Sequence, residues 1–168
     1  MANQSVEHAP ALGATPGRPK LPPRWFVRAA WIGHRAIHRF TGGKRGLAYP
    51  KQGGRFGYLR LETTGRRSGR ERAAILGYIE DGQNLVTLAM NGWADTDPAW
   101  WLNLQTQPEA TVELKGASRT VRARKAVGEE RERLWTAVQR HTGYGDLEEF
   151  AGSRLGETPV VVLEPRRG

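Results

Sequence analysis

The fold class is indicated first by residues 56–90, FGYLRLETTGRRSGRERAAILGYIEDGQNLVTLAM. Residues at the beginning of this region alternate between two faces, with Leu59 and Leu61 on the same side, as in a half-buried strand. The pattern predicts three strands, at 56–63, 72–80 and 85–90. An Asp81-Gly82 pair separates the last two strands and is a strong signal for a hairpin turn. A basic loop rich in glycine, residues 64–70, joins the first two.

The remainder of the chain adds three strands and two helices. We predict strands at 110–114, 119–126 and 159–163, and helices at 98–105 and 129–141. Pro98 suits the first turn of a helix, and the acidic residues at the start of the second helix complement its dipole. Six strands with turns and peripheral helices are typical of a small barrel or a strongly curved sheet, so the expected fold class is mainly β or α+β.

A length of 168 residues suits one domain with one core. We predict a disordered lead at 1–23, which holds five prolines, and a single domain over 24–168. The chain has no cysteine, which excludes disulfides and thiolate metal sites. Its four histidines lack the spacing of a metal centre, so no metal is expected.

The net charge of +9 is distributed unevenly along the chain. Residues 1–60 carry 11 Lys or Arg and one acid, a balance of +10, whereas the remainder carries 15 basic and 16 acidic groups, a balance of −1. Such asymmetry favours an anionic partner, whether lipid headgroups, nucleic acid or an acidic ligand.

Residues 24–40, RWFVRAAWIGHRAIHRF, predict a basic amphipathic helix. Four arginines share one of its faces: Arg24, Arg28, Arg35 and Arg39. Either the opposite, apolar face packs on the domain, or the helix lies on an anionic membrane surface. No apolar run is long enough to span a bilayer, and no secretory signal is evident. The expected location is cytoplasmic, with peripheral attachment to the inner face of the membrane as the open alternative.

The basic loop with its flanks, TTGRRSGRER at 63–72, has the chemistry of an anion site. Arginine presents a planar fork of donors to phosphate or carboxylate, while Gly65 and Gly69 let the backbone approach a ligand. The Lys-Ser/Thr ending of a Walker loop is absent, and so is the glycine fingerprint of dinucleotide binding. A solvated hairpin tip is the alternative interpretation.

A second segment, AMNGWADTDPAWWLNL at 89–104, runs from a strand through a loop into a helix with paired tryptophans. The free N–H groups of a helix start, beside aromatic rings, suit a flat heterocycle with carbonyl edges. Adjacent residues cannot share a helix face, so we expect one of Trp100 and Trp101 to line a pocket and the other to belong to the core.

Together these segments resemble the deazaflavin-dependent nitroreductase family, whose members are coenzyme F420-dependent oxidoreductases with a split β-barrel fold. The similarity rests on four strings in order: LETTGRRSGRERAAILGYIEDG, LVTLAMNGW, DPAWWLNLQTQPEATVEL and TPVVVLEP. It covers about residues 24–165. The resemblance implies transfer of a hydride from reduced deazaflavin to an organic acceptor, namely a quinone, an enone or a nitro compound.

The resemblance also implies site residues. In the family, the basic loop and the following strand hold the coenzyme's phosphate and oligoglutamate tail, and the next strand end and helix enclose the ring. Cofactor contacts are therefore expected from Arg66, Arg67, Ser68, Arg72, Ala73, Ala74, Ile75, Leu76, Gly77, Leu88, Ala89, Met90, Asn91, Ala99, Trp100, Trp101, Leu102, Asn103 and Tyr144. Substrate contacts are expected from Tyr78, Met90, Trp93, His141 and Leu147. Tyr144 is the candidate catalytic residue, as a proton donor or as a group that positions the acceptor, with solvent as the alternative donor.

The acceptor side departs from the family pattern, which has a Tyr-rich segment before the last strand. Residues 141–150 keep a single phenol, Tyr144. Gly77 stands where the family has a strand Tyr, and Met90 where Ser is common. These differences imply a wider and more apolar pocket, which favours a quinone or a hydrophobic enone over a nitroimidazole.

Three other interpretations stay open. A reductase that uses flavin mononucleotide shares the barrel, but its single phosphate needs fewer arginines. A non-catalytic carrier of F420 would show the same sequence features, because hydride transfer requires no catalytic triad that could distinguish an enzyme from a carrier. A nucleic-acid binder would explain the basic helix but not the neutral body, so nucleic acid is not expected as a partner. The oligomeric state does not follow from the sequence.

Overall fold

The computed structural model describes residues 46–51, 54–91, 94–141, 147–152 and 154–166. The predicted lead at 1–23 and the predicted helix at 24–40 lie outside these ranges. Within them the strands are β1 (Gly57–Thr64), β2 (Glu71–Asp81), β3 (Asn84–Leu88), β4 (Glu109–Leu114), β5 (Ala117–Lys125) and β6 (Val160–Pro165). The helices are α1 (Ala99–Thr106), α2 (Gly128–Gln139) and α3 (Leu147–Gly152). None of these helices is long and apolar enough to cross a membrane.

The strands form a closed antiparallel barrel in the order β1-β2-β3-β6-β5-β4, in which β4 also pairs with β1. Tight hairpins join β2 to β3 and β4 to β5, while α1 carries the chain from β3 to β4. Gly82 has a φ of 62°, which the Asp81-Gly82 turn requires and which glycine adopts without strain. The predicted barrel of six strands is confirmed in the described part of the chain.

Alternating side chains divide the apolar residues into an interior and an outer cluster. The interior cluster fills the barrel and includes Leu59, Leu61, Leu76, Leu85, Val112, Val121, Val161 and Leu163, with Trp100, Trp101 and Leu104 of α1. The outer cluster lies where α2 and α3 pack, and includes Ile79, Val86, Leu88, Leu134, Trp135, Val138, Leu147, Val160 and Val162. Strands β3 and β6 contribute to both clusters, which explains their continuous apolar runs.

The ends of the predicted elements differ from the observed ones by up to two residues, and one helix was missed. Helix α3 was not predicted, because LEEFAG is too short to show a helical period. Strand β3 ends at Leu88 rather than at Met90. Beyond Leu88 the chain makes one more bond to the neighbouring segment, from the Ala89 N–H to the Pro159 carbonyl at 2.9 Å, and then departs toward α1.

Gly57 at the start of β1 lies where the barrel has no room for a side chain. A Cβ there would lie 2.5 Å from Cε1 of Tyr78, 2.7 Å from Cδ of Pro50 and 2.8 Å from the Ala48 carbonyl. We expect Gly57→Ala to lower the free energy of unfolding by about 1–3 kcal/mol, the usual cost of overpacking. Urea unfolding measures this loss as a lower midpoint with unchanged slope. Gly152→Ala is the matched control, because a Cβ there meets nothing within 4 Å; equal stability of the two variants would contradict the prediction.

Candidate functional site

The basic loop between β1 and β2 is a compact turn that its own backbone holds. The Ser68 and Gly69 N–H groups donate to the Gly65 carbonyl at 3.1 and 2.8 Å, and the Gly65 N–H donates to the Arg70 carbonyl at 2.8 Å. Gly69 has a φ of 61°, which suits glycine. A Cβ at Gly65 would lie 3.0 Å from both the Arg70 carbonyl and the Ser68 hydroxyl. The turn therefore depends on both glycines.

The arginines of this loop lack acidic partners in the described structure, unlike six of the ten other arginines that it describes. Within the described ranges, ion pairs involve Arg60, Arg124, Arg131, Arg133, Arg154 and Arg166. Arg66, Arg67, Arg70 and Arg72 are exposed, and none is ion-paired to an acid in that part of the chain. Four unneutralised guanidinium groups close together produce a strong positive potential. Binding of an anion relieves their mutual repulsion and satisfies their donors.

Asn103 of α1 connects the basic loop to the helix. Its side chain is 4% exposed. Its Oδ1 accepts a hydrogen bond from the Arg66 N–H at 3.1 Å, and an Arg66 guanidinium nitrogen lies 3.4 Å from the same oxygen. Its Nδ2 donates to the Thr63 hydroxyl at 3.1 Å. The sequence suggested that Asn103 contacts the cofactor, whereas the structure gives its amide a role in holding the loop.

Strand β2 presents two faces along the predicted ring-binding stretch. Residues opposite each other on paired strands point to the same face of a sheet. Leu76 lies opposite the buried Leu59, so it points into the barrel. Arg72 lies opposite the buried Thr63 and is on the same side, but at the exposed start of the strand. Ala74 shares that face and packs against the interior cluster. The outward set is Ala73, Ile75 and Gly77, of which Ala73 is exposed and the other two are half-buried. A flat ligand outside the barrel can contact the side chains of this outward set only, so Ala74 and Leu76 can contribute backbone contacts alone.

The end of β3 and the start of α1 lie at the same end of the barrel as the basic loop, because β3 runs antiparallel to β2. The Thr87 hydroxyl donates to the Gly77 carbonyl at 2.8 Å, so the two strands are still adjacent there. Among the residues predicted around the ring, Leu88 and Ala89 are buried, Met90 and Leu102 are half-buried, and Asn91 and Ala99 are exposed. Ser68, which was predicted at the tail, is also exposed. No side chain caps the start of α1 at Pro98 in the described residues, which leaves its first N–H groups for a ligand or solvent.

Trp100 and Trp101 both belong to the interior cluster, at 8% and 5% exposed. Their rings meet edge to face with centroids 6.3 Å apart and planes at 63°. The expectation that only one of them is core is therefore wrong. Helix α1 packs against β1, β2 and β5 at once, so more than one of its faces is covered.

Met90 and Leu147, both predicted to contact the acceptor, lie at the outer cluster. Leu147 is buried within that cluster, and Met90 is partly buried against it. Trp93 and Tyr144 lie outside the described residues. The structure thus brings Met90 and Leu147 to one apolar layer outside the barrel.

His141, a further predicted acceptor contact, lies just beyond the C-terminal end of α2. Its Nδ1 lies 3.0 Å from the Ala137 carbonyl, and its N–H donates to the Val138 carbonyl at 3.0 Å. The ring also lies 5.5 Å from the ring of Phe56. One ring nitrogen is therefore used to cap the helix, and His141 has at most its other nitrogen for a substrate.

Tyr78 lies inside the barrel, so the prediction that it contacts substrate is not supported by its position. The residue is 1% exposed, and its hydroxyl has no hydrogen-bond partner in the structure. Burial raises the pKa of the phenol to about 12, and the charge of Glu80 adds to the increase. The Tyr78 side chain fills the barrel beside Gly57.

The raised pKa of Tyr78 predicts a loss of stability in alkali. Below about pH 10 the Tyr78 phenol is neutral in both the folded and the unfolded chain. Between about pH 10 and pH 12 it ionises in the unfolded chain but stays neutral in the folded one, so the free energy of unfolding falls across this range. We expect Tyr78→Phe to abolish a loss on the order of 2–3 kcal/mol across that window. Urea unfolding at about pH 9 and near pH 12 measures the difference. An identical alkaline loss in both proteins would contradict this origin.

One buried polar cluster near the start of α1 was missed by the sequence analysis. The buried Arg154 side chain lies beside Asp97, just before α1, and Thr158, just before β6. The sequence GSRLGET around Arg154 has no apolar period, so nothing local indicates burial. Only the closure of the barrel brings these residues together.

Comparison with known proteins identifies the family. The family model described as F420H(2)-dependent quinone reductase matches residues 33–165. The chain belongs to this family. It is 30% identical over 149 residues to a Mycobacterium tuberculosis protein named F420H(2)-dependent quinone reductase, covering 85% of this chain and 97% of the relative.

Two solved structures agree with the quinone reductase family assignment. One is described as an F420-H2 dependent reductase, with 25% identity, a TM-score of 0.58, and coverage of 71% of this chain and 100% of that one. Another, described as a domain-swapped dimer, shows the same fold at 23% identity, with a TM-score of 0.61 and coverage of 82% and 99%. The predicted split barrel, the oxidoreductase activity dependent on F420H2, and coenzyme F420 as cofactor are confirmed.

The residues present suit the coenzyme of the quinone reductase family. Coenzyme F420 combines a flat ring with an anionic tail. The basic loop offers four guanidinium groups without acidic partners in the described structure, and its tight backbone keeps them together. Beside it, the outer face of β2 leaves Ala73 exposed and Ile75 and Gly77 half-buried, which provides an apolar surface for a ring.

Proposed function

We propose that this chain reduces a quinone with F420H2, holding the coenzyme's tail at the basic loop and its ring along the outer face of β2. The observation that carries the proposal is the group of four exposed arginines without an acidic partner in the described residues, located where β2 begins. A tail with one phosphate and several carboxylates can engage all of them. A single phosphate, as in flavin mononucleotide, would leave part of the group unneutralised.

The chain's own contribution to the reaction is placement. When bound, F420H2 supplies the hydride. Arg66, Arg67 and Arg72 hold the tail, and Asn103 fixes the loop that carries the first of them. Met90, which is partly buried against the outer cluster, supplies apolar surface for the acceptor, whereas Leu147 is buried beneath that surface. Holding two flat groups in contact accelerates their reaction through proximity and orientation, and no strong acid is needed.

The proton donor for the reduced acceptor stays open between two sources. Tyr144 is the candidate within the chain, and solvent is the alternative. Tyr144→Phe separates them: a side-chain donor predicts a fall in kcat of about 100-fold, whereas solvent predicts little change. A solvent isotope effect measured in parallel indicates whether proton transfer limits the rate.

The activity is tested by mixing F420H2 with a panel of acceptors and following reoxidation of the deazaflavin. The panel comprises menadione, a hydrophobic enone and a nitroimidazole. We expect menadione to be reduced at least about tenfold faster than the nitroimidazole, because the surface beside Met90 and Leu147 is apolar. The reverse order would contradict the acceptor assignment. Binding of F420 without turnover of any acceptor would indicate a carrier, and tight uptake of flavin mononucleotide in preference to F420 would indicate a flavin reductase.

A contact with anionic membrane is a separate part of the proposal, and it rests on the sequence of residues 24–40 alone. Four arginines on one face of the predicted helix attract anionic headgroups, and salt weakens that attraction. We expect the full chain to sediment with vesicles rich in phosphatidylglycerol at low salt and to dissociate as salt increases. Failure to sediment at any salt concentration would favour packing of this segment on the domain.

A further inference from the structure

Arg154 is a buried arginine for which the proposed chemistry has no use. Its side chain is 1% exposed. It donates to the Thr158 hydroxyl at 2.9 Å, and its guanidinium lies 3.4 Å from Oδ1 of Asp97 and 3.5 Å from the Ala89 carbonyl. Burial of a guanidinium carries a large desolvation cost, which these contacts, including that to the Asp97 carboxylate, offset.

The partners of Arg154 among the described residues come from two stretches of chain, the connection from β3 to α1 and the loop that carries Arg154 itself. Ala89 follows β3, Asp97 precedes α1, and Thr158 precedes β6. A second bond reinforces the same junction, from the Leu155 N–H to Oδ1 of Asp95 at 2.9 Å. The segment from Ala89 to Ala99 is thus fixed near both of its ends by the chain around Arg154.

This connected segment borders the proposed ring site. Met90 and Asn91 follow directly after the Ala89 carbonyl that Arg154 contacts, and Ala99 begins α1 two residues after Asp97. The basic loop is held separately, through Asn103 and Thr63. The tail-binding and ring-binding parts of the site therefore have independent supports.

We propose that Arg154 is a positioning residue that fixes residues 89–91 and 94–99 in the arrangement needed to bind the deazaflavin ring. The proposal rests on the proposed function, because it takes this segment as one wall of the ring site. Arg154 touches neither coenzyme nor acceptor in this role. It acts through the Ala89 carbonyl and the Asp97 carboxylate.

The test uses the full chain and three variants: Arg154→Met, Asp97→Asn and, as a control, Arg124→Met. Arg124 is also ion-paired, to Glu130 and Glu164, but it lies outside the barrel on β5. Asp97→Asn is included because Asp97 is partly exposed, so this variant folds even where loss of Arg154 prevents folding. Amide hydrogen exchange in the free protein is the first readout, and affinity for the tail-less deazaflavin chromophore is the second.

In both site variants, amides at 89–91 and 95–99 are expected to exchange at least about tenfold faster, while the barrel strands stay unchanged. The dissociation constant of the tail-less chromophore is expected to increase at least about tenfold, with Arg124→Met equal to wild type. At saturating F420H2, kcat for menadione is expected to fall, because a loosened ring no longer holds its reactive geometry.

The outcomes separate the two proposals. Unchanged exchange, or faster exchange with unchanged chromophore affinity, would overturn the positioning role of Arg154 while the proposed function stands. Wild-type protein that takes up neither F420 nor the chromophore would overturn the proposed function, and with it the assignment of segment 89–99 to a ring site.

Discussion

Replacement of Arg66 and Arg67 by alanine together is expected to weaken binding of coenzyme F420 by about 100-fold, roughly tenfold for each charge-assisted hydrogen bond lost. The expected loss for each hydrogen bond is near the low end of the range for charge-assisted hydrogen bonds, because both side chains are exposed and salt screens their charges. The backbone bond from the Arg66 N–H to Asn103 survives the substitution, so the turn keeps its shape. Isothermal titration calorimetry at two salt concentrations measures the effect, which should decrease as salt increases.

The matched control for this variant is the double replacement of Arg122 and Arg140 by alanine. Both are exposed, and neither is ion-paired to an acid in the described residues, so the control removes the same charge from other surfaces. We expect F420 affinity within about threefold of wild type for this control, since long-range charge effects are screened. The tail-less chromophore should bind equally well to both variants. A loss of affinity shared by the control, or by the chromophore, would mean that the basic loop does not hold the tail.

The positions of the strands along the chain were accessible from the sequence because each strand carries its own local signal. Alternation placed Leu59 and Leu61 together, and both are fully buried inside the barrel. The Asp81-Gly82 turn fixed the register of its hairpin, in which Asp81 pairs with Asn84. These signals depend only on neighbours in sequence, so they can be recognised without knowledge of the fold.

The roles of individual site residues were less accessible, since they depend on which face of the barrel a residue occupies. Tyr78 and Gly77 are adjacent, yet one fills the interior and the other faces outward. Trp100 and Trp101 are both core because α1 packs against three strands. Arg154 gave no signal at all, because Ala89 and Asp97 lie 65 and 57 residues before it in the chain. Motifs thus predict where the site lies, while barrel closure determines which face each of its residues occupies.

The two halves of the site also differ in the kind of interaction that supports them. The loop at the start of β2 is held by neutral hydrogen bonds through a buried amide, and the segment before α1 is held by a buried charge. A hydrogen bond between a backbone N–H and an amide side chain involves no net charge, so salt does not weaken it, even beside four arginines without acidic partners. The loop can therefore keep its shape while its charges are screened or neutralised.

Replacement of Asn103 by alanine is expected both to destabilise the fold and to weaken coenzyme binding. The substitution removes the acceptor of the Arg66 N–H and the donor to Thr63, and leaves a cavity where the amide was 4% exposed. Loss of a buried, doubly bonded amide costs about 1–3 kcal/mol, which urea unfolding measures. Without this bond the loop samples other arrangements, so F420 affinity should fall by about tenfold, whereas the tail-less chromophore should be affected less.

Two further variants make the Asn103 prediction specific. Gln105→Ala removes an exposed amide from the same helix and should change neither stability nor affinity. Asn103→Asp keeps two oxygen acceptors for the Arg66 N–H and guanidinium, and the Thr63 hydroxyl can rotate to donate in place of accepting. Affinity should therefore follow the order wild type, Asn103→Asp, Asn103→Ala. If Asn103→Ala proves less stable yet binds F420 as tightly as wild type, the amide supports the barrel only, and the arginine loop keeps its geometry through its glycine turn alone.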